Sequence, residues 1–97
     1  MQPERRLVKQ ITVYLEGWGA WVFKVHGGDN PFQEVGVPDL LCCLKGRFIG
    51  FEVKLPGEKP SPRQKVVLKR IKDAGGIAEV VSSVREVERI LERSIRK

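Results

Sequence analysis

The chain has 97 residues, a hydrophobic fraction of 41% and a formal net charge of +6. This length suffices for one domain with a modest core, spanning residues 1–97, and excludes two domains. No signal peptide and no apolar run of membrane length are visible, so we expect an intracellular, cytoplasmic protein. A phage or prophage origin stays open. The excess of basic over acidic residues, with a pI near 9.7, favours a polyanionic partner such as nucleic acid.

The first predicted element is an amphipathic helix over residues 3–16. Its apolar side chains recur at the spacing of one buried helical stripe: Leu7, Val8, Ile11 and Leu15. Glu4 lies in the same stripe, because three of these four positions fall within about 40° of it around the helix. Two interpretations of Glu4 stay open. It is either an acid favoured by the helix dipole or a carboxylate that projects from the helix end into a functional site.

Residues 18–25 are rich in aromatic and β-branched side chains, which predicts a strand. The glycines, Asp, Asn and Pro of residues 27–31 give the strongest loop signal in the chain, and the connection continues to residue 34. His26 stands at the mouth of this loop. Since a lone histidine at a strand end is more often incidental, we assign no role to it.

Two apolar runs, residues 41–44 and 48–51, flank a short break that contains Gly46. This pattern predicts a β-hairpin within residues 37–55. The adjacent Cys42 and Cys43 would face opposite sides of the first strand, so they cannot easily form a disulfide with each other. Their spacing matches no zinc pattern, and we interpret them as small hydrophobic residues.

A two-residue hairpin loop would fix the register of the two strands. Leu44 would then pair with Arg47, and Asp39 would lie directly opposite Glu52. Opposite residues have Cβ atoms roughly 4.5–5.5 Å apart, and two carboxylates at that separation repel each other. A divalent cation between them turns the repulsion into ligation, since carboxylate oxygens are natural ligands of Mg²⁺. Lys54 would point to the same face and hold or activate a water beside the ion.

The competing interpretation of these residues is structural. A Glu-x-Lys pair on an exposed strand is usually solvated, and Pro-Asp is usually a turn. The apolar runs on both sides place the acids inside or at the edge of a core, which favours a site that hydrolyses phosphate esters. Gly50 shares the face of Glu52, and it predicts either a close approach of substrate or a bulge.

A second helix begins cleanly after the hairpin. Ser61 at the N-cap, Pro62 at the first position and Gln64 at the third form a predicted capping box, and residues 75–76 end the helix with two glycines. The helix and its approach are strongly basic. We predict phosphate contacts there, with a solvated helix face as the alternative, from Lys59, Arg63, Lys65 and Lys69.

Residues 77–81 predict a short buried strand, and Ser83 with Glu86 predicts a second capping box that opens a last helix. The resulting order is helix, three strands, helix, strand, helix. It predicts an α/β fold with a four-stranded mixed sheet flanked by helices. The connection between the third and fourth strands, through the basic helix, must be a crossover.

Two motifs, Gly36-x-Pro38-Asp39 and Glu52-Val53-Lys54, resemble the signature of the PD-(D/E)XK nuclease superfamily. The whole chain resembles the VRR-NUC branch of that superfamily and is similar to archaeal Holliday junction resolvases. The resemblance implies a restriction-endonuclease-like αβββαβα fold over nearly the full length.

The same resemblance implies roles for individual residues. Asp39, Glu52 and the backbone carbonyl of Val53 would bind Mg²⁺ or Mn²⁺, and Lys54 would assist the attacking water. The glutamate of the opening helix matches Glu4, which would lie near the ion, directly or through water. The glutamine on the helix after the Glu-x-Lys strand matches Gln64, which would position Lys54 or the water. We expect that the Gln64 amide cannot also serve the capping box at the same time.

We therefore predict a metal-dependent, structure-specific DNA endonuclease. A branched or four-way-junction substrate and a homodimer are implied by the resemblance alone. A non-catalytic nucleic-acid-binding domain would explain the charge and the basic helix but would leave the opposed acids without a purpose. A sequence-specific nuclease of restriction type is a third interpretation, disfavoured because so short a chain has little room for a base-reading element.

Overall fold

The computed structural model describes residues 2–25 and 35–95, which form three helices and one four-stranded sheet. The elements in chain order are α1 (Pro3–Gly17), β1 (Trp21–Lys24), β2 (Leu40–Leu44), β3 (Arg47–Val53), α2 (Pro62–Asp73), β4 (Ile77–Val81) and α3 (Val84–Ser94). This order confirms the predicted αβββαβα arrangement. No helix within the described residues is long and apolar enough to cross a membrane.

The strands lie in the order β1-β2-β3-β4. The first two pairings are antiparallel and the last is parallel, as a crossover through α2 requires. Leu44 pairs with Arg47, so the predicted register is correct. The two loop residues, Lys45 and Gly46, have φ values of 52° and 79°. Positive φ at both positions is what a two-residue hairpin turn of type I′ needs, and this turn fixes the register.

Strand β1 is shorter than predicted. The sequence analysis placed its start at Trp18, but Trp18 ends α1, where its N–H donates to the Leu15 carbonyl at 3.0 Å. Gly19 follows with a φ of 94°, and its N–H donates to the Glu16 carbonyl at 2.9 Å. Because these two residues complete the helix end, the strand begins only at Trp21.

Helices α1 and α3 pack against one face of the sheet, and α2 packs against the other face over β3 and β4. The first face and its two helices supply the main core: Ile11, Leu15, Leu40, Cys42, Leu44, Ile49, Phe51, Val53, Ile77, Val81, Val87, Ile90 and Leu91. The second face, here called the α2 face, carries the alternate residues of each strand, including Gly50 and Glu52. The candidate site therefore lies on the α2 face.

Two glycines allow close packing around α2. At Gly50, an added Cβ would lie 3.1 Å from both the Cδ1 of Ile71 and the Cγ of Pro38. Packing against α2 thus explains Gly50, without a bulge and without an approaching substrate. At Gly36, φ is 93° and an added Cβ would lie 2.8 Å from the carbonyl oxygen of Arg63. This glycine holds the segment before β2 against the first turn of α2.

We expect Gly36→Ala to lower the free energy of unfolding by about 2–4 kcal/mol, because a clash with the Arg63 carbonyl adds to the cost of positive φ. Gly57 is a matched control, since its φ is 91° and no atom lies within 4 Å of an added Cβ. Gly57→Ala should cost only the conformational part, about 1–2 kcal/mol. Urea denaturation measures both losses, and equal losses would contradict a tight contact at Gly36.

Candidate active site

The two acids of the candidate site stand at the ends of adjacent strands. Leu40 pairs with Phe51, so the register brings Asp39, which directly precedes β2, beside Glu52 of β3. The Oδ2 atom of Asp39 accepts the backbone N–H of Val53 at 2.8 Å, which fixes its carboxyl group against β3. The structure thus places the two predicted metal-binding side chains together.

Glu52 is a buried carboxyl group with only 2% of its surface exposed. Its Oε2 atom accepts a hydrogen bond from Gln64 Nε2 at 3.0 Å and lies 3.5 Å from Lys54 Nζ. Its Oε1 atom is buried and has no hydrogen-bond partner among the described residues. Burial, with the neighbouring charge of Asp39, raises the pKa of Glu52 to about 7, while Lys54 acts in the opposite direction.

Lys54 directly follows β3 and is held there by its own backbone. Its N–H donates to the carbonyl of Val81 in β4 at 3.0 Å. The side chain then turns back to the Oε2 atom of Glu52 and keeps 19% of its surface exposed. The ammonium group is therefore positioned by a buried acid and still accessible from solvent.

The hydrogen bonds of the Gln64 amide differ from those that we expected. We expected its amide to serve either the capping box or the site, but it serves both. Its Oε1 atom accepts the N–H of Ser61 at 2.8 Å, while its Nε2 atom donates to Glu52. The two roles are compatible because the oxygen and the nitrogen of one amide have separate partners. At the site its amide contacts Glu52. That Gln64 positions Lys54 or the attacking water stays a prediction.

Glu4 lies half-buried in the first turn of α1 and lines an open cleft of about 610 Å³ together with Asp39. The helix end therefore does bring this carboxylate to the cleft. The described residues nevertheless contain no group of three or more His, Cys, Asp or Glu side chains placed to hold a metal ion. The acids that the strand register brings side by side are Asp39 and Glu52, without Glu4.

Two basic residues that the sequence analysis did not select, Arg5 and Lys24, line the same cleft. Lys24 reaches it because β1 pairs with β2, and the N–H of Val25 donates to the Asp39 carbonyl at 2.9 Å. The pairing of β1 with β2 spans a long connection, so the sequence offers no turn that would fix its register. Arg5 directly follows the candidate site residue Glu4 in the sequence, and this proximity could have predicted that Arg5 lies near the site.

The four predicted phosphate contacts lie at and along α2, and all are exposed: Lys59, Arg63, Lys65 and Lys69. The Nε atom of Arg63 donates to the carbonyl of Val35 at 3.2 Å, which ties α2 to the segment before β2. Lys69 pairs with Asp73 at 3.0 Å on the helix surface. Such an exposed pair is worth little and can be exchanged for a phosphate. His26 and the 27–34 loop lie outside the described residues.

The donor set fits a divalent cation. Two carboxyl groups lie side by side, and the buried Oε1 atom of Glu52 lacks a hydrogen-bond partner in the part of the chain that the structure describes. A cation held by Asp39, Glu52 and the backbone carbonyl of Val53 would offset the repulsion between the acids and satisfy that oxygen. Without it, the buried carboxyl group retains its proton more strongly than an ordinary glutamate does.

No protein-family model and no curated protein matches the chain. A solved structure described as a VRR_NUC domain is similar over 97% of this chain and 99% of its own, at 29% identity and a TM-score of 0.80. The Holliday junction resolvase Hjc of the archaeal hyperthermophile Archaeoglobus fulgidus is similar over 81% of this chain and 67% of its own, at 24% identity and a TM-score of 0.61. The resemblance to VRR-NUC and the restriction-endonuclease-like fold are thus confirmed, the resolvase contributing the fold alone.

The raised pKa of Glu52 predicts that the metal-free protein loses stability as the pH rises from about 4.5 to about 7. In this range the folded protein binds a proton that the unfolded chain has released, so increasing pH favours unfolding. The contribution is about 3 kcal/mol, complete below the unfolded pKa and lost above the folded one.

Chemical denaturation in a chelator, compared between the wild type and Glu52→Gln from about pH 4 to about pH 8, isolates this contribution. The variant cannot titrate at this position, so its stability relative to the wild type should improve as the pH rises. A stability difference between the two proteins that stays constant from about pH 4 to about pH 8 would contradict the burial of an ionisable group at Glu52.

The double role of Gln64 predicts different effects for two substitutions. Gln64→Glu keeps an oxygen for the Ser61 N–H but places a second carboxylate against Glu52, which should raise the pKa of Glu52 further. Gln64→Ala removes both contacts and should also cost about 1 kcal/mol through the lost cap. NMR titration of the Glu52 carboxyl group, with denaturation curves, separates the effects. An unchanged pKa in Gln64→Glu would show that the contact with Glu52 does not form in solution.

Proposed function

We propose that residues 1–97 form a metal-dependent DNA endonuclease domain that hydrolyses phosphodiester bonds. The observation that carries the proposal is the pair of Asp39 and Glu52, held side by side, with one buried oxygen that has no hydrogen-bond partner within residues 2–25 and 35–95. The similarity to a VRR_NUC domain over nearly the full length supports the same class of activity.

The proposed cofactor is Mg²⁺ or Mn²⁺, held by Asp39, Glu52 and the backbone carbonyl of Val53. Such a cation polarises a phosphate oxygen and lowers the pKa of a nearby water. The protein supplies a rigid set of ligands. The N–H of Val53 orients Asp39, and the Gln64 amide orients Glu52. Little reorganisation is then needed when substrate binds.

Lys54 would orient the attacking water and offset the charge that builds up on the pentacovalent phosphorus of the transition state. Its Nζ atom lies beside Glu52, and part of the side chain is open to solvent. Gln64 would act on the site through its hydrogen bond to Glu52. Glu4, on the same cleft as Asp39, would contribute negative charge to the cation site, directly or through water.

The cleft would bind the DNA backbone through its two basic residues, Arg5 and Lys24, which flank the acids. A phosphodiester carries negative charge, so cations must bring it close to two carboxylates. Further phosphate contacts would come from the exposed cations at and along α2: Lys59, Arg63, Lys65 and Lys69. These contacts would make binding weaken as salt is raised.

The proposed substrate is branched DNA, including four-way junctions, and the proposed assembly is a homodimer. The fold shared with a protein described as a Holliday junction resolvase supports the substrate class. The homodimer follows from the substrate, because paired incisions in one junction require two sites.

We expect Lys54→Ala and Asp39→Asn each to reduce cleavage by roughly 100- to 10,000-fold while DNA binding is retained. Each variant removes a group at the proposed centre and leaves the cations at and along α2 in place. Labelled linear, flapped and four-way DNA, incubated with and without Mg²⁺, provides the measurement. Arg89→Ala, on the exposed surface of α3, is the matched control and should cleave normally.

Full activity in either variant would reject the proposed mechanism. Absence of cleavage of all three substrates by the wild type with Mg²⁺ or Mn²⁺, together with retained DNA binding, would favour the non-catalytic nucleic-acid-binding domain. Cleavage of linear DNA at one sequence would instead favour a nuclease of restriction type.

A further inference from the structure

Part of the α2 face is an open apolar surface. Helix α2 lies over β3 and β4, so none of the elements within residues 2–25 and 35–95 covers β1 and β2 on this face. We call the open surface the sheet platform, and it consists of Trp21, Phe23, Leu41, Cys43 and Phe48. The strand register places Trp21, Cys43 and Phe48 in one row and Phe23 beside Leu41 in the next.

Three aromatic rings of the sheet platform are open to solvent. Trp21 is 65% exposed, Phe23 49% and Phe48 46%. The rings of Trp21 and Phe23 lie nearly parallel, with 7° between their planes and 6.1 Å between their centroids. Flat nucleobases stack on exposed aromatic rings, and because every base has such a face, this binding needs no particular sequence.

Helix α2 forms a positively charged wall along the sheet platform. Arg63, Val66 and Arg70 share one side of the helix, because they recur at intervals of three and four residues. Arg63 Nε donates to the carbonyl of Val35, in the segment before β2, at 3.2 Å. Arg70 lines a pocket of about 390 Å³ together with Phe48. These contacts direct the charged side of α2 towards the open half of the sheet.

Further cations lie around the sheet platform. Lys45 and Arg47 are exposed at the hairpin end of β2 and β3. Lys24 follows Phe23 in β1 and lines the cleft that contains Asp39. Aromatic rings bordered by cations are typical of surfaces that bind single-stranded nucleic acid, since the rings stack on bases while the cations neutralise phosphates.

We propose that the sheet platform binds unpaired bases in a single-stranded segment of the DNA substrate. The rings of Trp21, Phe23 and Phe48 stack on the bases, and the arginines of α2 contact the phosphates beside them. The inference names a feature of the substrate within the proposed function. It rests on that function only for the position of the cleaved bond.

The sheet platform leads directly to the candidate active site. Phe23 and Leu41 occupy the row next to Asp39 and Glu52, and Trp21 occupies the row after that. Successive rows on one face of a sheet are about 7 Å apart, so the two rings are about 7 Å and about 13 Å along the strands from the acids. A strand whose bases stack here carries its neighbouring phosphates to the acids. The geometry therefore favours cleavage beside an unpaired segment, as in a flap or fork.

Binding in a chelator tests the platform without cleavage. The ligands are a labelled thymidine single strand and a strand of equal length with abasic sites, which keeps the phosphates and lacks the bases. Fluorescence anisotropy measures both Kd values. We expect the wild type to bind the normal strand at least about tenfold more tightly than the abasic strand, because only the normal strand can stack. Equal Kd values would overturn the proposal.

Substitutions at Trp21 separate stacking from ordinary apolar contact. Trp21→Phe keeps a ring and should bind the normal strand within about threefold of the wild type, whereas Trp21→Leu should bind it at least about fivefold more weakly. Neither variant should change the Kd of the abasic strand. Val13→Leu is the matched control, because Val13 is 60% exposed on α1, and it should bind like the wild type. Equal affinities of Trp21→Phe and Trp21→Leu for the normal strand would overturn the proposal.

Cys43 reports whether the bases lie on the platform. It is exposed, whereas Cys42 is buried and burial, with Cys43 beside it, raises the pKa of its thiol to about 11. A maleimide will therefore modify Cys43 first. The normal strand should slow this modification while the abasic strand leaves it nearly unchanged, and equal rates with the two strands would overturn the proposal.

The same reagent tests whether protein covers the platform. A Cys43 that does not react in the DNA-free protein would overturn the proposal. Sedimentation then distinguishes a second copy, seen as a dimer, from coverage by the chain itself, seen as a monomer.

Salt separates the two parts of the interface. Raising the salt concentration should weaken the binding of both strands through their phosphates, but the ratio of their Kd values should persist because stacking is not screened. A ratio that falls to unity at high salt would show that charge alone distinguishes the strands, and it would overturn the proposal.

The platform and the proposed function can fail separately. With Mg²⁺, the wild type should cut forked DNA beside its unpaired segment, and Trp21→Leu should reduce the preference for forked over linear duplex DNA. Base-dependent binding without any cleavage would support the platform and reject the nuclease. Cleavage without base-dependent binding would support the nuclease and reject the platform.

Discussion

The candidate site of this protein depends on one buried carboxyl group that lies beside a second carboxyl group. Glu52 is almost completely removed from solvent, next to Asp39, with a pKa raised to about 7 by burial and by that neighbour. Such an arrangement costs stability unless a counter-charge is present. Among the described residues, Lys54 at 3.5 Å and the hydrogen bond from Gln64 both reach the Oε2 atom of Glu52, and its Oε1 atom has no hydrogen-bond partner. The divalent cation of the proposed function would supply that counter-charge.

The N-terminal end of α2 stabilises the helix and also holds a residue of the candidate site in place. Gln64 closes the capping box of α2 through its oxygen and holds Glu52 through its nitrogen. Gly36 allows the segment before β2 to approach the first turn of that helix, where Arg63 binds the Val35 carbonyl. The position of Asp39 and the position of α2 are therefore coupled, which links the stability of the helix start to the geometry of the acids.

Sequence patterns that act over a few neighbouring residues were sufficient to predict much of this structure. The hairpin register followed from a two-residue turn, and α2 followed from its capping box, so the meeting of Asp39 with Glu52 could be predicted. Contacts between distant segments could not. The pairing of β1 with β2, which brings Lys24 to the cleft, crosses a long connection, and the exposure of Trp21 depends on which half of the sheet α2 covers. The extent of β1 was also wrong, because helix-ending bonds at Trp18 outweighed its strand propensity.

Calorimetric titration of the metal-free protein with Mn²⁺ tests the central claim most directly. Ligation requires a deprotonated Glu52, so binding at about pH 6 should release close to one proton, seen as a heat that depends on the ionisation enthalpy of the buffer. The release should fall towards zero by about pH 8, and Glu52→Gln should abolish it. Absence of Mn²⁺ binding, or binding that Glu52→Gln leaves intact, would contradict a cation site between these two acids.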